Sequence, residues 1–90
     1  MTDLYSIVWK NSAIKELKKL DRQSIPLIIS AVSMLAETQF PNGVKKLQGS
    51  QHTYRIRVGN YRIVYSVEEK MLLIEVIRVG HRKEIYRKLP

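Results

Sequence analysis

Apolar and polar positions alternate at the start of the chain. Tyr5, Ile7 and Trp9 fall on one side and Leu4, Ser6 and Val8 on the other, which predicts a first strand. From Ala13 the period lengthens to that of a helix. Ala13, Ile14, Leu17 and Leu20 share one face, while Lys15, Glu16, Lys18 and Lys19 occupy the other, with Asn11 or Ser12 as the candidate cap. A second apolar stripe follows, made by Ile25, Ile28, Ile29, Val32, Leu35 and Ala36 and preceded by Asp21 or Ser24 as cap. Pro26 is compatible only with the beginning of such a helix. The pattern ends by Gln39, before the turn cluster Phe40-Pro41-Asn42-Gly43. Two adjacent amphipathic helices predict a helical hairpin lying on a sheet.

Beyond Val44 the alternation returns. Residues 44–48 predict a short edge strand closed by Gly49-Ser50, and Thr53 to Val58 a second alternating strand. Gly59-Asn60 is a two-residue hairpin signal, with Tyr61 to Val67 as the returning strand. Glu68-Glu69-Lys70 forms a polar turn before the apolar run Met71 to Val79, which reads as a central strand. The basic segment from His81 to Pro90 is expected to be a short helix or tail. The fold class is therefore α+β. A helical hairpin packs on one face of a mainly antiparallel sheet of about four strands, beside the N-terminal strand, with residues 1–90 as a single domain.

Composition supports a folded chain. Of 90 residues, 44% are hydrophobic, enough for an efficient small core. Cysteine is absent from the sequence, which removes disulfides, thiolate nucleophiles and thiolate metal sites. Met1 to Lys10 carries Asp3 and no long apolar run, so no signal peptide is read, and no apolar stretch approaches the length of a membrane span. A cytoplasmic location without a membrane partner is the expectation.

Charge narrows the functional classes. The net charge is +8, which suggests nucleic acid, ribosome or an acidic protein as partner. Residues 1–45 hold six basic and four acidic side chains, whereas residues 46–90 hold ten and four. The second half is therefore where a site is sought.

The hairpin fixes the geometry of that site. With Gly59 and Asn60 as loop, Val58 faces Tyr61, Arg57 faces Arg62, Ile56 faces Ile63, Arg55 faces Val64 and Tyr54 faces Tyr65. Tyr54, Ile56, Ile63 and Tyr65 then share the face under the helices, and Arg55, Arg57 and Arg62 share the other. Two arginines directly opposite repel one another. Guanidinium is a permanently charged planar fork that matches phosphate oxygens, so this side reads as a phosphate-binding face. The alternative is a solvated face whose arginines pair with some of the eight acids elsewhere in the chain.

The C-terminal segment adds Arg78, His81, Arg82, Lys83, Tyr86, Arg87 and Lys88, which can fold back beside the arginines. His81 has an ordinary pKa near neutrality, and Tyr86 can stack on a base or transfer a proton. The alternatives are a surface imidazole and a packed terminal tyrosine. His52 reads as a loop residue without a special role. Other chemistries lack support: His52 and His81 stand 29 positions apart with no cysteine, and there is no glycine-rich phosphate loop and no triad order. No metal or other cofactor is expected.

The segments VWKNSAIKELKKL (8–20), KKLQGSQHTYRIRVGNYRIVYSV (45–67) and IEVIRVGHRKEIYRKL (74–89) resemble the RelE/ParE toxin superfamily, and the resemblance covers nearly the whole chain. YRIRVGNYRIVY and VGHRKEIY carry it most specifically. It implies a RelE-like fold and the toxin of a type II toxin–antitoxin pair. That toxin would be a ribosome-dependent endoribonuclease that cuts mRNA without a metal, bound by a cognate acidic antitoxin. It further implies Arg57, Arg62, His81, Arg82 and Tyr86 as catalytic positions. Contacts to RNA or ribosome would come from Arg55, Lys46, Arg78, Lys83, Arg87 and Lys88. Several members carry lysine where Arg55 and Arg57 stand; a lysine can act as a base, but an arginine in practice does not. The alternative within the superfamily is a ParE-like toxin that poisons DNA gyrase without cutting RNA.

Overall fold

The structure, a computed structural model, describes residues 4–81; Arg82, Lys83, Tyr86, Arg87, Lys88 and the expected terminal helix or tail lie outside the described residues. The chain begins with strand β1 (Ser6–Trp9), followed by helices α1 (Asn11–Lys18) and α2 (Ser24–Met34). Four strands complete it: β2 (Lys45–Lys46), β3 (Thr53–Val58), β4 (Tyr61–Glu68) and β5 (Leu73–His81). They form one five-stranded sheet in the order β1-β5-β4-β3-β2. β1 runs parallel to β5 and every other pairing is antiparallel. The expected α+β layer is thus present, with β5 internal as its apolar run requires.

Tertiary pairing, rather than a side-chain cap, starts α1. The Lys10 N–H donates to the Val76 carbonyl (3.0 Å) as a last rung of the β1–β5 ladder, and the Lys10 carbonyl accepts the first helical bond from Ile14 N–H (3.0 Å). Neither Asn11 nor Ser12 caps the helix, because Lys10 already stands at the N-cap position. At α2, Ser24 N–H and Ile25 N–H both donate to the Asp21 carbonyl (2.9 and 3.2 Å), so the Asp21 backbone does what its side chain was expected to do. Pro26 is the third residue of α2, where its missing N–H costs no helical bond.

The core lies between the helices and one sheet face. Ala13 and Leu17 of α1 and Ile28 and Val32 of α2 meet Ile56, Ile63, Tyr65, Val67, Ile74, Val76 and Val79, with Leu35 just beyond α2. Tyr5, Ile7 and Trp9 pack at its margin. Burying a side chain of this size stabilises the fold by roughly 1.5–3 kcal/mol. β2 is only two residues long, shorter than the expected 44–48 strand. It pairs Lys45 with Arg55 and Lys46 with Tyr54, so β3 is left open from Ile56 to Val58.

Candidate functional site

The hairpin has the register expected from its turn: Arg57 is directly across from Arg62, Ile56 from Ile63 and Tyr54 from Tyr65. Gly59 has φ +60, while Asn60 is not among the residues with positive φ, the pattern of a type II′ turn. This turn matches the twist of its strands and so holds the two arginines in opposition.

The three arginines differ in surroundings. Arg57 is exposed, and its Nε donates to the Gly59 carbonyl (3.2 Å), which folds the guanidinium against the hairpin tip. Arg62 is only 7% exposed; its Nη1 donates to the Tyr61 carbonyl (3.4 Å). Arg55 is half-buried. The arginine side is therefore less open than three exposed guanidiniums. Val64 on the same side is also 1% exposed. Among the described residues, the one ion pair joins Arg78 to Glu16 and leaves Arg57 and Arg62 bonded to backbone carbonyls.

All three arginines line one cleft of about 950 Å³. The cleft starts on α2 at Ala31 and Met34, crosses the open β3 edge at Ile56 and Val58, and ends on the arginine side. Its far wall is the turn carrying Phe40 to Gly43. That turn is fixed by Tyr65, whose hydroxyl donates to the Gln39 carbonyl (2.7 Å). The Gln39 Nε2 in turn donates to the Leu35 and Ala36 carbonyls (both 3.0 Å), closing the end of α2. Phe40 meets Tyr54 edge to face, with ring centroids 4.9 Å apart. Burial, assisted by nearby Tyr54, pushes the Tyr65 hydroxyl well above the ordinary tyrosine range, so it stays protonated and donating.

The remaining sequence candidates divide. Lys45, which sequence reasoning passed over, is across from Arg55 and lines the cleft; Lys46 is across from Tyr54 on the opposite side. Only the strand pairing, not the adjacent lysines themselves, distinguishes the two. Arg78, across from Val64 on the arginine side, is engaged by Glu16 (Nη2 to Oε2, 2.9 Å) at the edge of β5 that β1 leaves open. His81 does not join the arginines. It pairs with Tyr61, ring centroids 5.9 Å apart, in a hollow with Lys19 and Asp21. Its side of the sheet follows from a bulge in β5 that the sequence did not reveal. His52 is exposed before β3.

Comparison with known proteins places this geometry. The family model of ParE toxins of type II toxin–antitoxin systems (parDE) matches residues 7–86. Toxin RelE3 of Methanocaldococcus jannaschii is 35% identical over 94 residues, covering 93% of this chain and 98% of the relative. The archaeal RelE–RelB complex of Pyrococcus horikoshii OT3 superposes with TM-score 0.78 at 26% identity, over 88% of this chain and 96% of that one. The RelB–RelE antitoxin–toxin complex of Methanococcus jannaschii superposes with TM-score 0.75 at 31% identity, over 92% and 99%. A hairpin that opposes two arginines, a helical pair over the other sheet face and these likenesses agree: the chain belongs to the ParE toxin family of the RelE/ParE superfamily and is a toxin of the type II toxin–antitoxin class.

Proposed function

We propose that this toxin is a ribosome-dependent endoribonuclease that cuts mRNA in the cytoplasm. The observation that carries the reading is the Arg57–Arg62 opposition on a cleft wall, without a carboxylate bonded to either among the described residues. Like charges held face to face destabilise a hairpin, and a bound phosphate relieves the repulsion.

RNA brings its own nucleophile. The 2′-hydroxyl attacks the adjacent phosphorus, the 2′-oxygen–phosphorus bond forms and the phosphorus–5′-oxygen bond breaks. A cyclic phosphate and a 5′-hydroxyl result. One proton leaves the attacking hydroxyl and one reaches the leaving oxygen. Arg57 and Arg62 hold the phosphate and its growing negative charge, with Arg82 as third clamp and aid to the leaving oxygen. Tyr86 is the assigned base or stacking residue. His81, packed with Tyr61 on the other side of the sheet, is left out of proton transfer. Lys45 joins Arg55 in contacting the RNA backbone. Arg62→Ala is expected to slow cleavage of mRNA on translating ribosomes by on the order of 100-fold. Cleavage at the wild-type rate would remove Arg62 from the site.

The reading includes an acidic antitoxin. RelE relatives are found in complexes with RelB, and the +8 charge suits an acidic chain. Leu27 (63% exposed) and Met34 (67%) lie on α2 near the cationic cleft, which suits an amphipathic acidic segment. A second reading, gyrase poisoning, is favoured by the match to the ParE family model. Cleaved DNA–gyrase complexes, with mRNA left intact, would establish it instead.

A further inference from the structure

β5 loses its neighbour halfway along. β1 covers it from Leu73 to Val76, and the Lys10–Val76 bond is the last rung on that edge. Immediately afterwards β5 bulges: Val64 pairs with Arg78 but Tyr65 pairs with Val76, so Ile77 is the extra residue. A one-residue bulge reverses the alternation that follows it, for side chains and for backbone N–H groups alike. Val76 faces the core, and beyond the bulge it is Val79, not Arg78, that faces the core again. The same reversal turns the Val79 N–H outward, to the edge that β1 has vacated.

Glu16 of α1 meets that N–H. Its Oε1 accepts from Val79 N–H (3.0 Å) and its Oε2 accepts from Arg78 Nη2 (2.9 Å). A regular strand would direct the Val79 N–H toward β4, so the carboxylate can bind it only in the bulged register. We infer that Glu16 is the latch that holds the β5 bulge, and that Glu16 and Arg78 are positioning residues for the arginine face. The bulge puts Gly80 across from Arg62 and His81 across from Tyr61. A strand slipped by one residue would put Val79 in place of Gly80 across from Arg62 and turn the His81 side chain to the arginine side. Arg78 is thereby assigned to architecture rather than to RNA.

The consequence for cleavage rests on the nuclease reading; the latch itself does not. The test is hydrogen exchange of the Val79 amide and the Tyr61–His81 ring contact by NMR, in the whole toxin, together with mRNA cleavage. In Glu16→Ala, Val79 exchange is expected to accelerate by roughly tenfold or more, the ring contact to be lost and cleavage to fall. In Glu16→Gln, whose carbonyl oxygen can still accept from Val79 while an uncharged NH2 group replaces the oxygen that accepts from Arg78, exchange and cleavage are expected to lie between. Val79 protection and the ring contact both unchanged in Glu16→Ala would overturn the latch. If Glu16→Ala does not fold, Glu16→Gln and Arg78→Met decide: wild-type exchange and wild-type cleavage in both overturn it. Accelerated exchange in a wild-type-like toxin that never cuts RNA leaves the latch standing and removes the nuclease reading alone.

Discussion

At the scale of single residues, Tyr65 shows how one buried polar group organises a wall of the site. Its hydroxyl joins β4 to the turn after α2, and through Gln39 it closes that helix. Tyr65→Phe keeps the ring and removes the bond, so a loss of about 1 kcal/mol is expected from urea unfolding. The same group makes stability depend on pH. Unfolded, Tyr65 titrates near the ordinary tyrosine pKa of about 10; folded, burial raises it. The fold therefore favours the protonated phenol. Its contribution is complete below a pH of about 10 and is lost as the pH climbs toward the folded value. Urea midpoints of the wild type are expected to fall between about pH 9 and about pH 11, and Tyr65→Phe to remove part of that slope. An equal slope in both proteins would show that the phenol does not contribute.

Among elements, the β3–β4 hairpin is the part most fully written in the sequence. Gly59-Asn60 sets the loop, the loop sets the register, and alternation separates Ile56 and Ile63 from Arg57 and Arg62. Gly59→Val places a β-branched side chain at φ +60 and is expected to cost more than about 1 kcal/mol, read from thermal unfolding. Other elements were less legible. The β5 bulge has no local signature: Ile77-Arg78 looks like ordinary alternation, and only the Glu16 carboxylate, far away in sequence, shows why it exists. Glu16 itself was indistinguishable from the lysines beside it on the polar face of α1. His81 was expected in a tail folding back beside the arginines; it is instead the last residue of β5, where the bulge decides its side. Lys45 and Lys46 were likewise inseparable until the pairing of β2 with β3 was known. The stripe on α2 gives its own test. Leu27→Asp, on the part of α2 outside the arginine cleft, is expected to weaken capture of a co-expressed acidic antitoxin by about tenfold or more while leaving mRNA cleavage unchanged, measured by pull-down and cleavage assay.

For the whole molecule, a net charge of +8 and a cleft lined by Lys45, Arg55, Arg57 and Arg62 suit the RNA proposed as its partner. Charge-driven binding carries a salt signature. Each phosphate contact contributes about −0.7 to the slope of log affinity against log salt for a single strand. Arg57→Ala and Lys45→Ala are each expected to lower the slope magnitude by about that amount for a short single-stranded RNA, and Lys46→Ala to leave it unchanged. A uniform effect of all three would mean that net charge, rather than this face, attracts the RNA. Among the described residues no helix is long and apolar enough to cross a membrane.

The central claim is that opposed arginines on a hairpin cut RNA. Its most direct measurement is the mapping of mRNA 5′ ends after brief induction of the toxin and of an Arg57→Ala/Arg62→Ala variant at equal protein levels. The expected result is new 5′-hydroxyl ends inside coding regions with the wild type and their near absence with the variant. Growth arrest by the wild type without new mRNA ends, or the same ends with both proteins, would contradict it.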